Sequence, residues 1–214
     1  MGKFTARPGE TLALQLAGNK SLTATDEVVV EEKNDQAVIE VTRRWVVEMV
    51  IGLNLCPFAR RVSDSGLIRY AVTDAGDSEE LLAALEKELV ALAASPRSAV
   101  ETTILIHPKA LSDSSDSLAF LNHADRLVRR LGLLRTIQIA GFHPQYQFEG
   151  TKPDSPENYT NRSPQPMLHL LREESVTEVA GEKADLAAIP QRNISTLRSL
   201  GKAEILARLK MIIG

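Results

Sequence analysis

Three short runs rich in β-branched residues alternate with two longer amphipathic patterns in the middle of the chain. The runs cover residues 67–73, 102–107 and 136–142, and each has the length and composition of a β-strand. The patterns between them, residues 78–94 and 112–131, repeat apolar side chains at helical spacing. Because a helix that joins two strands of one sheet returns the chain to the same edge, this order predicts parallel strands. The predicted fold class is therefore α/β, a small, mainly parallel sheet with a βαβαβ core covered by helices.

The segments on either side extend this core into one domain. Residues 1–33 are mainly polar and are predicted to form a mobile N-terminal arm. Residues 34–214 are predicted to form the single domain, and it begins with a helix that starts near residue 34 and ends at Gly52. Trp45 lies on the apolar stripe of that helix, so we expect its ring in the core.

The chain beyond the third strand is predicted to form one long loop followed by helices. Residues 143–162 show little periodicity but contain several aromatic side chains, which favours an ordered binding loop over disorder. Helices are predicted for residues 164–175, 176–188 and 194–213, with Gly201 as a break in the last one.

Composition and charge argue against several classes of binding partner. The formal net charge is -3 and the pI is about 5.9, which argues against nucleic acid and against a membrane surface. No uncharged apolar run reaches the roughly 18 residues that a membrane helix needs. The single cysteine, Cys56, excludes an intramolecular disulfide, and the start of the chain does not resemble a secretory signal. We therefore expect a cytoplasmic protein that binds a small molecule; the oligomeric state does not follow from the sequence.

A histidine followed by proline ends both the second and the third predicted strand. These histidines are His107 and His143. Proline favours an extended backbone in the residue before it and lacks the N–H that would continue a strand ladder. If the two strands are parallel, both imidazoles lie at the carboxyl edge of the sheet, where open α/β sheets bind ligands. The alternative is that both pairs only terminate strands and that their rings are solvated.

The cysteine stands directly before a proline in an apolar stretch. Proline is favoured at the first position of a helix, so Cys56 is predicted to be the N-cap of a short helix that begins at Pro57. Unpaired amides at that position, together with Arg60 or Arg61, would favour the thiolate. The alternative is a buried, inert cysteine, because free cysteine is among the most buried residue types.

Four further residues are candidates for ligand binding. Tyr146 belongs to the aromatic loop. Ser163 is predicted to cap the helix that begins at Pro164, and such a helix start with Arg162 beside it would hold an anionic group. His169 is predicted on one face of the same helix. The alternative is ordinary helix capping with a solvated charged face.

Three functions fit these residues, and the spacing does not separate them. The first is a small-molecule enzyme in which Cys56 is the nucleophile, His143 or His107 is the general base, and the helix start at Ser163 binds an anionic substrate group. The second makes Cys56, His107 and His143 ligands of a zinc or iron ion with an open position for water. The third is a non-catalytic module that binds a ligand or a protein segment, with Cys56 buried.

Three stretches of the chain carry a resemblance to a known family. They are residues 52–59 (GLNLCPFA), 141–148 (GFHPQYQF) and 161–174 (NRSPQPMLHLLREE). From about residue 37 to residue 200, the chain resembles a bacterial protein family catalogued as a domain of unknown function. The resemblance implies that the three stretches belong together, and it implies no activity.

Overall fold

The middle of the chain alternates strands and helices as predicted. A computed structural model describes residues 24–182 and 188–214. In chain order the elements are α1 (Ala24–Trp45), a π-helical segment (Val46–Ile51), α2 (Ala59–Asp64), β1 (Ile68–Val72), α3 (Ser78–Ala94), β2 (Thr102–Ile106), α4 (Ser114–Arg130), β3 (Ile137–Phe142), a 3-10 helix (Pro156–Thr160), β4 (Met167–Arg172), α5 (Glu173–Glu182), α6 (Ala188–Leu200) and α7 (Lys202–Ile213).

The four described strands form one mixed sheet in the order β1-β2-β4-β3. β1 and β2 pair in parallel, whereas β4 pairs antiparallel with β2 on one side and β3 on the other. The three predicted strands therefore run in the same direction, but β4 separates β2 from β3. The α/β class is confirmed, and the prediction of a mainly parallel sheet is wrong because two of the three pairings are antiparallel.

Strand β4 occupies a segment that was predicted to be the helix of residues 164–175. Its sequence, MLHLLR, is a short and mostly apolar run, and periodicity does not distinguish such a run from a buried helix. The next helix, α5, begins only at Glu173. Ser163 therefore caps no helix; its hydroxyl donates to the carbonyl of Gln165 at 2.6 Å. The anion site predicted at this helix start does not form.

Helices α3 and α4 form as predicted and cover one face of the sheet, which we call the α3/α4 face. Asp77 caps α3 by accepting the N–H groups of Glu79 and Glu80, and Asp113 caps α4 by accepting the N–H of Ser115. Such caps satisfy amides that have no partner inside the helix. The core on this face consists mainly of Leu81, Leu85, Leu89, Leu105, Phe120, Ala124, Leu127, Leu168 and Leu170.

The opposite face, which we call the α1 face, is covered by α1, the π-helical segment, α6 and α7. Trp45 is only 3% exposed, as predicted, and its indole N–H donates to the carbonyl of Arg162 at 3.1 Å. The helical segment ends at Gly52, as predicted. A Cβ at this position would collide with the carbonyl oxygen of Glu48, so the position requires glycine. Tyr70 from β1 and Leu197 from α6 join this core.

The two ends of the chain depart from the prediction in different ways. α1 begins at Ala24, so the start near residue 34 is wrong, and the predicted arm of residues 1–33 lies outside the described residues as far as residue 23. The break at Gly201 is confirmed, since this residue has a positive φ of 79° between α6 and α7. The helix predicted for residues 176–188 lies partly outside the described residues. None of the helices that the structure describes is long and apolar enough to cross a bilayer.

Candidate functional site

His107 and His143 lie at the same edge of the sheet, directly after β2 and β3. Both are buried, with 0% and 2% of their surface exposed. The Nδ1–H of His107 donates to the carbonyl of Ala110 at 3.1 Å, and the Nε2–H of His143 donates to the carbonyl of Leu111 at 3.2 Å. Ala110 and Leu111 pack in the core of the α3/α4 face. The two imidazoles therefore hold the loop between β2 and α4 against this core.

The surroundings of these two imidazoles keep them neutral and closed to ligands. Burial, with a smaller contribution from neighbouring His143, lowers the pKa of His107 to about 4. Burial also lowers the pKa of His143, and the Nδ1 of that ring accepts the N–H of Gln145 at 3.0 Å. The Nε2 of His107 is sealed in the interior and has no partner among the described residues. Neither the predicted open site nor the solvated alternative describes these rings.

Cys56 lies in the turn between the π-helical segment and α2, not at a helix start. Because α2 begins at Ala59 with Phe58 as its N-cap, the predicted N-cap role of Cys56 is wrong. Burial raises the pKa of the Cys56 thiol, although hydrogen bonds from the backbone at Phe58 and Ala59 act in the opposite direction. The cysteine is therefore a neutral thiol at neutral pH, and not a thiolate.

The described side chains do not gather Cys56 with the two strand-end histidines. No hydrogen bond joins the Cys56 sulfur to an imidazole in the described part of the chain. Within residues 24–182 and 188–214, no three His, Cys, Asp or Glu side chains lie close enough together to hold a metal ion. Cys56, His107 and His143 thus do not form the ligand group of the metal interpretation, and no base among the described residues is hydrogen-bonded to the thiol.

Cys56 lines a cavity of about 210 Å³ on the α1 face, which we call the inner cavity. Strands β2, β3 and β4 form its floor, and α1, the π-helical segment and the turn into α2 form its roof. Most of the lining side chains are apolar, as in typical small-molecule sites. The lining residues used below are Trp45, Val50, Cys56, Thr102, Ala140, Phe142 and His169.

His169 brings an imidazole into the inner cavity from the middle of β4. Side chains alternate along a strand, and this register puts His169 on the α1 face, with its ring centroid 6.4 Å from that of Phe142. Burial lowers the pKa of His169 to about 4, so the ring is neutral at pH 7. The sequence prediction selected this residue for ligand binding but put it on a helix, whereas the strand makes it part of the cavity wall.

The hydrogen bonds of Thr102 fix which nitrogen of His169 carries the proton. The Thr102 Oγ1 lies 2.5 Å from the carbonyl oxygen of Leu170 and 2.8 Å from the Nε2 of His169. Because a carbonyl oxygen only accepts, the single hydroxyl proton of Thr102 goes to Leu170, and the Nε2 of His169 must donate. The Nδ1 of His169 is then a bare acceptor with no partner among the described residues, in a ring that lines the cavity.

Tyr146 and Arg162 order the aromatic loop instead of lining the inner cavity. The ring of Tyr146 packs edge-on against Phe148 with the centroids 5.0 Å apart. Arg162 donates from Nε to the carbonyl of Tyr146 at 2.9 Å and from Nη2 to the carbonyl of Pro153 at 2.6 Å. Its guanidinium also lies over the ring of Tyr159, 4.6 Å from the centroid. Through these contacts, the side chain of Arg162 stabilises the loop.

A second cavity of about 530 Å³, which we call the outer cavity, adjoins the inner one. Val50, Cys56 and Phe142 line both cavities. The remaining wall comes from the aromatic loop and α6. Asn158 holds the loop in shape: it is fully buried, and its Oδ1 accepts the N–H of Phe148 at 3.0 Å.

Sequence reasoning misses Thr102, Asn158 and Asn193. Two threonines at the start of a strand that is otherwise apolar are a usable signal, because buried hydroxyls need partners. The two asparagines have no comparable local signal, since a loop asparagine and a helix asparagine are ordinarily exposed.

The fold and its cavities define an α/β protein with a mixed four-stranded sheet and ligand-sized cavities on one face. The chain belongs to the family DUF1415, described as a protein of unknown function, whose model matches residues 37–207. This finding confirms the resemblance stated from the sequence. No curated protein and no solved structure matches the chain.

Proposed function

We propose that the protein binds a small, largely apolar ring compound that carries one hydrogen-bond donor, and that it does so in the inner cavity. The observation that carries this proposal is the Nδ1 of His169, which has no partner among the described residues and belongs to a cavity wall that is otherwise mainly apolar. Apolar walls favour a ring because its burial removes hydrocarbon surface from water. A bare acceptor in such a wall favours a ligand with a donor, since a ligand without one would displace water and leave the acceptor unpaired.

The cavity has the size for one ring. Its volume of about 210 Å³ exceeds the roughly 150 Å³ of an engineered apolar cavity that holds benzene. An aromatic ring buries about 150 Å² at the low end of its range, which at about 25 cal/mol per Å² corresponds to roughly 4 kcal/mol. Because association also costs translational and rotational freedom, a dissociation constant near 1 mM is the tightest that we expect for an unsubstituted ring.

Binding is better supported than thiol-dependent catalysis. A nucleophilic cysteine needs a lowered pKa or an adjacent base. Burial raises the pKa of Cys56, and no imidazole is hydrogen-bonded to its sulfur among the described residues. The thiol of Cys56 and the imidazole of His169 are neutral. The charged residues of the cavity wall are Glu101 and Arg172, and the guanidinium of Arg172 already donates to the carbonyls of Leu92, Ser95 and Val100.

Phenol and toluene test the proposal because they have nearly the same shape and differ in one O–H donor. Trp45 is the single tryptophan of the chain and lines the inner cavity, so its fluorescence reports occupancy. We expect phenol to bind about threefold to tenfold more tightly than toluene, the range that one net hydrogen bond provides. Replacing the acceptor by His169→Phe should reverse the order, because the phenol hydroxyl then loses its partner.

The control variant is His123→Phe, which changes an exposed histidine on α4. It should keep the preference of the wild type for phenol. If neither compound binds, the proposal is wrong, and if the preference survives in His169→Phe, His169 is not the acceptor.

A further inference from the structure

Strand β1 lies at one edge of the sheet, and its outer side has no partner strand in the part of the chain that the structure describes. On its inner side, the carbonyl of Leu67 accepts the N–H of Thr102 from β2. At the other end of the strand, the N–H of Thr73 donates to the carbonyl of Ile106. Because successive residues of a strand direct their backbone groups to opposite sides, the odd-numbered residues from 67 to 73 face β2. The even-numbered residues face outward, and they are Ile68, Tyr70 and Val72.

The opposite edge of the sheet is partly closed by the chain itself, whereas the outer edge of β1 is open. Beside β3, the carbonyl of Gly141 accepts the Nδ2–H of Asn161 at 3.2 Å, and the N–H of His143 donates to the carbonyl of Asn161 at 3.1 Å. The outward groups of β1 have no such backbone partner among the described residues. An open edge pairs readily with a further strand unless proline, a bulge or charge blocks it. β1 has the sequence IRYAV without proline, and its register with β2 is continuous.

The outer edge of β1 is complementary to the same edge of a second copy. When two β1 strands pair antiparallel about a two-fold axis at Tyr70, each Tyr70 lies opposite the other and each Ile68 lies opposite the partner's Val72. All outward N–H and C=O groups of these residues then find partners, because directly opposite residues of this kind exchange both hydrogen bonds. A register shifted by one residue would oppose groups that already bond to β2.

This register also brings apolar side chains together on the α1 face. Ile68 meets the partner's Val72, and the two Tyr70 rings meet each other; such β-branched and aromatic pairs stabilise antiparallel strands. Beside Ile68 and Tyr70 the surface has a depression of about 200 Å³, which Arg43 and Val47 also line. The depression therefore lies next to the position that the partner's Val72 takes.

Charges along the edge do not oppose the pairing. On the α3/α4 face, Arg69 lies opposite an alanine of the partner and is already paired with Glu88 of its own chain at 2.8 Å. Near the two-fold axis, Arg43 lies over the Tyr70 ring, 4.9 Å from its centroid. Burial raises the pKa of the Tyr70 hydroxyl, and Arg43 and Glu40 act on it in opposite directions. Charges of both signs thus lie near the axis.

We propose that two copies of the chain associate through β1, antiparallel and centred on Tyr70, so that their sheets join into one continuous sheet. The association covers the open edge, which would otherwise be available to unrelated strands. This inference does not depend on the proposed function, because the backbone groups of β1 carry it.

Sedimentation equilibrium of the full chain tests the association, with an expected particle mass of twice the 23.4 kDa of the chain. Tyr70→Lys should raise the dissociation constant at least about tenfold, because like charges then face each other at the axis. Tyr70→Glu should have the same effect, and a mixture of the two variants should form dimers again. The control Leu134→Lys adds the same charge at an exposed position before β3 and should leave the dimer intact.

Amide hydrogen exchange of the wild type needs no substitution and covers the case in which the variants at residue 70 fail to fold. In the dimer, the outward amides of Ile68, Tyr70 and Val72 are hydrogen-bonded. We expect them to exchange at least about tenfold more slowly in concentrated than in dilute protein. The amides of Arg69 and Ala71 face β2 and should be protected at both concentrations.

The outcomes decide the proposal. A dimer that Tyr70→Lys weakens and the mixture restores, or outward amides whose protection rises with concentration, supports it. A monomer at all concentrations contradicts it, and protected outward amides in such a monomer would mean that another segment of the same chain covers the edge. A dimer of folded Tyr70→Lys as tight as that of the wild type would mean that the copies associate through a different surface.

Discussion

The two faces of the sheet use histidine in opposite ways. On the α3/α4 face, His107 and His143 donate to the carbonyls of Ala110 and Leu111 and close a loop against a tightly packed core. On the α1 face, the Nε2 of His169 is hydrogen-bonded to Thr102, and its other nitrogen belongs to a ring in a cavity wall. All three imidazoles have a pKa lowered by burial, so titration behaviour does not separate them.

The two faces differ in whether a polar atom without a partner lies beside empty space. His107 also has a nitrogen without a partner among the described residues, but that nitrogen is sealed in the core. His169 combines an acceptor that has no partner in the described part of the chain with space for a ligand. Histidines at the carboxyl edge of an α/β sheet therefore do not by themselves define a site.

The largest expected effect on the α3/α4 face is the loss of stability in acid that His107 causes. An unfolded histidine has a pKa near 6.5, whereas that of folded His107 is about 4. Between these values the unfolded state binds more protons, so the free energy of unfolding is at its full value above about pH 6.5 and falls as the pH drops toward 4. The expected loss is on the order of 3 kcal/mol.

His107→Asn tests this expectation, because an asparagine amide can still donate to Ala110 but does not titrate. Urea unfolding across this pH range should show a shallower pH dependence for the variant than for the wild type. The exposed His123→Asn controls for removal of a histidine outside the core. Equal pH profiles for wild type and His107→Asn would contradict the account of the α3/α4 face.

A matched pair of alanine substitutions compares the packing of the two faces. Ala124 is fully buried in the α3/α4 core, and Ala124→Leu should lower the free energy of unfolding by about 1–3 kcal/mol through overpacking. Ala140 lines the inner cavity, so Ala140→Leu should fill space at little cost and weaken toluene binding by at least about tenfold. Chemical denaturation and ligand titration measure both effects. If both variants lower the free energy of unfolding by the same amount, the inner cavity has no room for the larger side chain, which would contradict the comparison.

The rate at which Cys56 is alkylated tests the description of the α1 face. The chain has one cysteine, so the stoichiometry of alkylation is unambiguous, and Cys56→Ser gives the background. Because burial raises the pKa of this thiol, maleimide should react at pH 7 at least about tenfold more slowly than with an exposed cysteine, and faster only at alkaline pH. Saturating toluene should slow the reaction further. Rapid labelling at neutral pH would instead favour the thiol-enzyme interpretation.

The sequence was sufficient for the elements whose patterns are local. β1, β2, β3, α3 and α4 follow from β-branched runs, amphipathic spacing and caps such as Asp77. The segment of Met167–Arg172 was mispredicted because a mostly apolar hexamer fits a strand or a helix, and only pairing on both sides decides between them.

The candidate site depended on that same segment. His169 was selected from the sequence, but its contact with Thr102 exists only because β4 lies between β2 and β3. Cys56 was also selected, with His107 and His143 as its expected partners. The end of a strand predicts the edge of the sheet at which a side chain lies, but not the face of the sheet on which it lies. Which side chains share a cavity is a property of tertiary packing, and no spacing in the chain encodes it.

The protonation state of the His169 ring tests the central claim most directly. Long-range nitrogen–proton NMR correlations, assigned by their loss in His169→Phe, distinguish the two neutral tautomers of an imidazole. We predict that the Nε2 of His169 carries the proton at pH 7 and that only the resonance of the bare Nδ1 moves substantially on addition of phenol. A proton on Nδ1, or a bare Nδ1 that does not respond to phenol, would contradict the account.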